Sequence, residues 1–444
     1  MKRLTLLFLS VVITAFMCSC TGFGANIADS LSPPKLSGEL YDIQKELEAY
    51  AGENMKLVYP SAGAYRSAIV TDDLDGDGKF EAFSFYSTET DDKTTVMHLN
   101  FIRWTGEGWS CVSDLQVDCS GVESIEFKKL DGNLLPKIIV NWSRLSSLNN
   151  QISVYEIDSG KLTELVSANY SVYTTCDFNV DGINDIVAIY LDNEKKNSTA
   201  TLLSFNESGI TASSTCVLDG TVTSYYKPRL SKFTDGTQAI FIDADKATGV
   251  ITEVIYLKDG QLVNAFPSST GENNATLRTS SIRSEDIDGD GCIDIPLAEK
   301  LPSAINSNMT DSAYVTVWNS FNGTSFKPIQ YSLINYTDGY SLKVPENWVG
   351  QFTVTRRTDI NQRIVLWWNS ETETEGEEIL RLQVLSVKEW EENRDEYGGF
   401  SEITRDSKKV YAVRFGSSGL NPGEQYIKDN FKLINADDSG SLKN

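Results

Sequence analysis

Five stretches of this chain open on one kind of turn and run into one kind of strand, and that recurrence limits the fold more than any other feature. DLDGDGKFEAFSFY starts at Asp73, KLDGNLLPKIIVNW at Lys129, DFNVDGINDIVAIY at Asp177, KFTDGTQAIFID at Lys232 and DIDGDGCIDIPLAE at Asp286. The starts lie 56, 48, 55 and 54 residues apart. Each turn leads into a short run rich in β-branched and aromatic residues, which reads as a strand. A variable loop follows, then a second strand closing in a turn: FIRWTGEGW, VYEIDSGKL, LLSFNESGI, VIYLKDGQL and TVWNSFNGT.

A unit of this kind cannot bury its apolar faces alone and must stack on copies of itself. The spacing therefore predicts a mostly β fold, a β-propeller of about five or more blades over residues 37–335. Unrelated hairpins in a sandwich are the competing arrangement. The shared register of acidic turn and closing turn argues against it. At 444 residues with 40% hydrophobic content, the chain is long enough for more than one core.

The balance of 39 basic against 62 acidic residues gives a net charge of −23. That disfavours nucleic acid and anionic lipid as direct partners and favours cation binding. One histidine, His98, leaves a single candidate for any imidazole chemistry.

The N-terminus reads as a targeting segment. MKR is a positive start, Leu4 to Met17 is an apolar run short for a bilayer, and MCSC ends it. The segment resembles a bacterial lipoprotein signal, residues 1–20, with Cys20 as the lipidated residue; an ordinary secretory signal is the alternative. Either places the protein outside the cytoplasm, and the first places it on the extracytoplasmic face of the cell membrane. Residues 21–36 read as a tether. SGELYDIQKELEAYAG then reads as an amphipathic helix capped by Ser37 and Gly52. The remaining cysteines, Cys111, Cys119, Cys176, Cys216 and Cys292, show no CxxC spacing and read mainly as free thiols.

Within the repeated turns, acids cluster in a way that needs compensation. Counting nine positions per turn, the first offers Asp73, Asp75, Asp77 and Glu81, and the fifth Asp286, Asp288, Asp290 and Asp294. The third offers Asp177, Asp181 and Asp185, with Asn179 as a neutral donor. Like charges this close repel unless a cation sits among them. Hard oxygen donors in that number suit Ca²⁺, with backbone carbonyls at the seventh position (Lys79, Ile183, Cys292) completing the shell. Up to three structural Ca²⁺ ions are expected. An EF-hand would need Glu at position twelve, where Ser84, Ala188 and Leu297 stand instead. In the second and fourth turns Lys129, Lys137, Lys232 and Thr234 replace acids, so those are expected to hold no ion.

These turns resemble the calcium loops of integrin-type FG-GAP, or VCBS, repeats. The approach YPSAGAYRSAIVTDDLDGDGKFEAFSFY is similar to extracytoplasmic VCBS-repeat lipoproteins of Firmicutes. The resemblance implies a binding or display scaffold.

Past residue 335 the pattern changes. YSLKVPENW, FTVTRRT, RIVLWWN, EILRLQVLSV and KVYAVRFG read as strands, followed by a helix opening at Asn421 with Ile427, Phe431 and Ile434 on one face. Residues 336–444 are thus expected to form an α+β domain, whose opening is similar to PsbP-like domains. Trp348, Trp367, Trp368 and Trp390 read chiefly as core. The function expected is a lipid-anchored, calcium-stabilised protein that binds a surface protein or polysaccharide. The alternative is a polysaccharide lyase or hydrolase on a calcium-bearing propeller. No catalytic residue is assigned.

Overall fold

The computed structural model describes residues 38–52, 54–74, 78–130, 136–144, 149–206, 209–302 and 313–434. Over these residues the chain is mostly β, arranged as six antiparallel sheets. Five are up-and-down meanders of the kind that form propeller blades, and a small α+β region follows. The chain divides into two compact units. One comprises Met1–Ser61, Tyr65–Asp118 and Asp158–Leu162; the other comprises Ala62–Ala64, Cys119–Ile157 and Thr163–Asn444.

The first sheet runs through Lys56–Leu57, Ile69–Asp72, Glu81–Glu89, Thr95–Trp104 and Trp109–Val117. Helix Glu39–Ala51 covers one of its faces, because Ile43 and Leu47, one helical turn apart, are both fully buried. They pack on Ile69, Ala82, Tyr86, Ile102 and Trp109. The helix begins at Gly38 with no side-chain cap, and the expected cap Ser37 lies outside the described residues. Gly52 closes it as expected.

In the second unit, the strands after the third and fourth turns are apolar on both faces for a physical reason: each face meets a different neighbour. In Asp185–Asp192 of the third sheet, Ile186 and Ala188 pack with Ile139 and Ile152 of the second sheet. Val187, Ile189 and Leu191 point the other way, against Ile240, Ile242 and Ala244 of the fourth sheet. The fourth sheet repeats the arrangement, turning Ala239 and Phe241 toward Ile295 and Phe321 of the fifth. Burying each such side chain contributes roughly 1.5–3 kcal/mol. A two-faced strand needs neighbours on both sides, which is why one repeat alone is not a domain.

The fifth sheet runs through Ile295–Lys300, Tyr314–Phe321, Phe326–Asn335 and Tyr340–Lys343, and takes Phe431–Leu433 as its last strand. The expected division at 335/336 therefore falls inside a sheet. One core joins it to the sixth sheet: Val315, Val317, Leu333 and Leu342 pack with Val354, Val365, Leu380 and Val413. The C-terminal helix is shorter than expected, Glu424–Asn430 after Gly423. Ile427 is buried in that core, whereas Phe431 already belongs to a strand, so the two share a core without sharing a helical face. Trp348, Trp368 and Trp390 are buried and Trp367 packs partly against the core. All five downstream cysteines are free thiols.

Candidate metal centre

Three of the repeated turns share one hydrogen-bonded frame, built by their first and ninth carboxylates. The ninth-position acid sits at the start of a strand and folds back over its own turn. Its carboxylate accepts the N–H of the second residue: Leu74 to Glu81 at 3.0 Å, Phe178 to Asp185 at 3.1 Å, Ile287 to Asp294 at 3.1 Å. The first-position carboxylate accepts the N–H of the sixth-position glycine: Gly78 to Asp73, Gly182 to Asp177, Gly291 to Asp286, at 2.9–3.1 Å. Those glycines have φ of 83°, 86° and 83°, a left-handed backbone that penalises any Cβ. The sixth position is glycine because the turn needs that geometry to aim its amide inward.

The fifth turn assembles the most compact acid cluster. Asp286, Asp288 and Asp294 bring carboxylate oxygens within 4.8 Å of one another. Asp294 is 1% exposed, and its carboxyl is pushed up to about 7, first by burial and then by Asp288, Asp290 and Asp286. Asp290 turns one oxygen to the Cys292 N–H at 2.7 Å. In the third turn Asp181 is similarly engaged by the Ile183 N–H at 2.8 Å and by the Asn179 amide at 2.9 Å. Asp177, Asp181 and Asp185 do not converge as the fifth-turn acids do. In the first turn Asp75 and Asp77 lie outside the described residues.

The donor set fits a hard divalent cation. Besides the fifth-turn cluster, Asp73 buries an Oδ1 that has no hydrogen-bond partner among the described residues. Burial, opposed by the Phe178 and Asn179 amides and the Ser204 hydroxyl, raises the Asp185 carboxyl. Carboxylates in this state gain most from a positive charge.

The two turns in which lysines replace acids differ from these three at their described ends. In the second, Lys137 holds the ninth position at 4% exposure and meets Glu156 at 2.8 Å. In the fourth, Lys232 pairs across the hairpin with Gln238, as Asp72 pairs with Glu81 and Cys176 with Asp185. Lys232 thus occupies the place before the first acid, and the turn itself is three residues shorter. The sequence alignment, which set Lys232 opposite Asp73, is off by one position there.

Val180 is a feature the sequence reading passed over. It fills the fourth position, where the fifth turn has Gly289 (φ 83°), yet it adopts φ 63° and is 68% exposed. A β-branched residue in the left-handed region is strained.

His98 lies in the first sheet, 6% exposed. Its Nδ1 is 2.8 Å from Asp114 and its Nε2 is 2.9 Å from the Thr88 hydroxyl. Asp114 also accepts from Tyr86 and Asn100. The ring stacks on Tyr86 at 4.4 Å.

No family model matches this chain, and no curated protein sequence matches it. Among solved structures, an exotype rhamnogalacturonan lyase is similar at 11% identity and TM-score 0.25, covering 72% of this chain and 62% of that one. The chain therefore spans less than two thirds of that enzyme. A Bacteroides fragilis protein described as a 6-phosphogluconolactonase gives 10% identity and TM-score 0.21, covering 73% of this chain and 93% of that one. A Lactobacillus plantarum protein gives 9% and 0.24, covering 71% and 84%. Scores of this size say nothing about function.

Proposed function

We propose that this chain is an extracytoplasmic, calcium-stabilised binding protein of FG-GAP/VCBS type, anchored through Cys20, that recognises a surface protein or polysaccharide. The observation that supports it best is the frame common to the first, third and fifth turns, with Asp286, Asp288 and Asp294 converging in the fifth. Calcium there would neutralise acids that otherwise repel, and so hold the root of each blade's buried strand. Asp73, Asp75, Asp77 and Glu81 would serve the first ion; Asp177, Asn179, Asp181 and Asp185 the second; Asp286, Asp288, Asp290 and Asp294 the third. Carbonyls of Lys79, Ile183 and Cys292 would complete the shells.

Calorimetric titration of Ca²⁺ into chelator-stripped protein tests the reading. Saturable uptake is expected, with a higher melting temperature in calcium. Asp288→Ala should remove the fifth-turn ion and cost about 1–3 kcal/mol in calcium. The third turn should bind most weakly, having one acid fewer and Asp181 already engaged. No uptake, or uptake unchanged when Asp75, Asp181 and Asp288 are all replaced by Ala, would sink the calcium role. Cys20→Ala should release the protein from the membrane fraction, and retention there would refute the anchor.

One observation favours the second reading, a polysaccharide lyase or hydrolase. Thr88, His98 and Asp114 form a hydroxyl–imidazole–carboxylate chain, the order in which a base activates a hydroxyl. Its burial and the extra donors on Asp114 fit a cross-strand polar lock better. Degradation products from any glycan, abolished by His98→Asn, would decide for the enzyme.

A further inference from the structure

Two arginines face each other across neighbouring strands of the sixth sheet, and among the described residues neither has an acid at ion-pair distance. Arg356, in Phe352–Arg357, is directly opposite Arg363, in Gln362–Asn369. Alternation along those strands puts them on the face that carries Val354 and Val365, beside Leu382. Further along this face the side chains are core; the arginines stand where the face opens into a shallow cleft that meets solvent. Tyr314, Asn335 and Tyr340 of the fifth sheet complete its lining.

The pairing is costly as it stands. Like charges directly opposite in a sheet repel, and this chain has 62 acids available against 39 bases. Among the described residues, no carboxylate lies within ion-pair distance of either guanidinium, although Arg357 alongside is held by Asp359 at 3.0 Å. Partial burial, then Arg363, lowers the hold of Arg356 on its proton. Tyr340, 2% exposed, is part of the same lining. Tyr314 is 49% exposed at the edge.

We propose that Arg356 and Arg363 form a binding site for an oxyanion carried by a small organic ligand. Two guanidinium forks offer parallel N–H pairs that match a carboxylate, a sulfate or a phosphate monoester. Tyr314 offers a ring on which the ligand's body can rest, which favours a carboxylated sugar over a bare inorganic ion. The site lies apart from the calcium turns, so it stands or falls independently of them.

The test is calorimetric titration of the full-length protein with sodium glucuronate, sodium sulfate and inorganic phosphate separately, each with and without Ca²⁺. Saturable binding is expected, tightest for glucuronate, weakened at least tenfold in Arg356→Gln/Arg363→Gln and unchanged in Arg357→Gln. Binding of sulfate or phosphate alone would keep the oxyanion site and reassign its source. In anion-free, low-salt buffer the double variant should melt no lower than the parent, because a repulsion has been removed. The same melting curve reports whether the variant is folded. Absence of saturable binding for all three probes, or equal binding by the double variant, would overturn the site.

Discussion

Lys137 and Glu156 form a 2.8 Å ion pair at the place where other turns of this protein keep their ninth-position acid. The lysine side chain is 5% exposed and the glutamate's 31%. A turn that has lost its acids has thus acquired an internal cation, which meets a carboxylate of the neighbouring strand. Removing the acid takes this carboxylate away from a buried ammonium, whereas removing the lysine frees a carboxylate that water can still reach. Glu156→Gln should therefore cost about 2 kcal/mol, less than the fully buried case because the glutamate is partly hydrated. Neither Glu156→Gln nor Lys137→Met should change calcium uptake. Urea unfolding in calcium and in chelator checks both. A calcium-dependent loss would mean that the second turn holds an ion after all.

Val180 carries the next prediction. Left-handed backbone costs a β-branched residue on the order of 1–2 kcal/mol, and a glycine almost nothing. Val180→Gly gives the third turn the residue that the fifth has in Gly289. The variant should gain about 1 kcal/mol, net of glycine's greater freedom when unfolded. A loss of stability in urea unfolding would show that the valine side chain does something its exposure conceals.

The repeat was legible because its determinants are local. Gly78, Gly182 and Gly291 sit at one sequence position and adopt one backbone shape, and the acids around them recur at fixed spacing. The two-faced apolar strands, such as Asp185–Asp192, were legible as continuous hydrophobic runs. The join between the fifth and sixth sheets was hidden. Phe431–Leu433 pairs with Tyr340–Lys343 across about ninety residues, and nothing local to FKL announces so distant a partner. Arg356 and Arg363 were hidden likewise: two arginines in an alternating strand read as solvent face until the register sets them opposite each other. Glu253, inside VITEVIYL, carries no local mark of its burial and is 2% exposed.

That glutamate makes stability depend on pH. Its Oε1 accepts the Asp219 N–H at 2.6 Å, while its Oε2 is buried without a partner. Burial pushes its carboxyl up to about 8, opposed by the Asp219 N–H and by Lys246, while the Asp219 charge adds to the rise. Lys246 is itself committed to Asp219 at 2.7 Å. Cys216 and Tyr225 face the same carboxyl. An acid raised in the folded state holds its proton there while the unfolded chain releases it. The stability it contributes is complete below the unfolded value of 4.5 and is lost as pH rises toward 8. Glu253→Gln, which cannot ionise, should remove that slope. Its stability relative to the parent should climb between pH 5 and pH 8.5. Parallel pH profiles in urea unfolding would show Glu253 to be ionised in the fold.

The last prediction concerns residue 335. A chain ending there keeps Ile295–Lys300, Tyr314–Phe321 and Phe326–Asn335 but loses Tyr340–Lys343 and Phe431–Leu433 from the same sheet. Leu333 and Val317 then lose the cover of Leu342, Val354 and Val365. Apolar exposure on this scale costs roughly 1.5–3 kcal/mol per side chain, against a total stability of about 5–15 kcal/mol. The cut also leaves Phe326–Asn335 as an unpaired edge, a template for aggregation. The shortened chain should be insoluble, or melt without a cooperative transition, whereas a chain ending after Ile434 should unfold like the full-length protein. A shortened chain that unfolds cooperatively with an unchanged midpoint would mean that residues 336–434 form a separate domain, and that the shared core adds nothing to the blades.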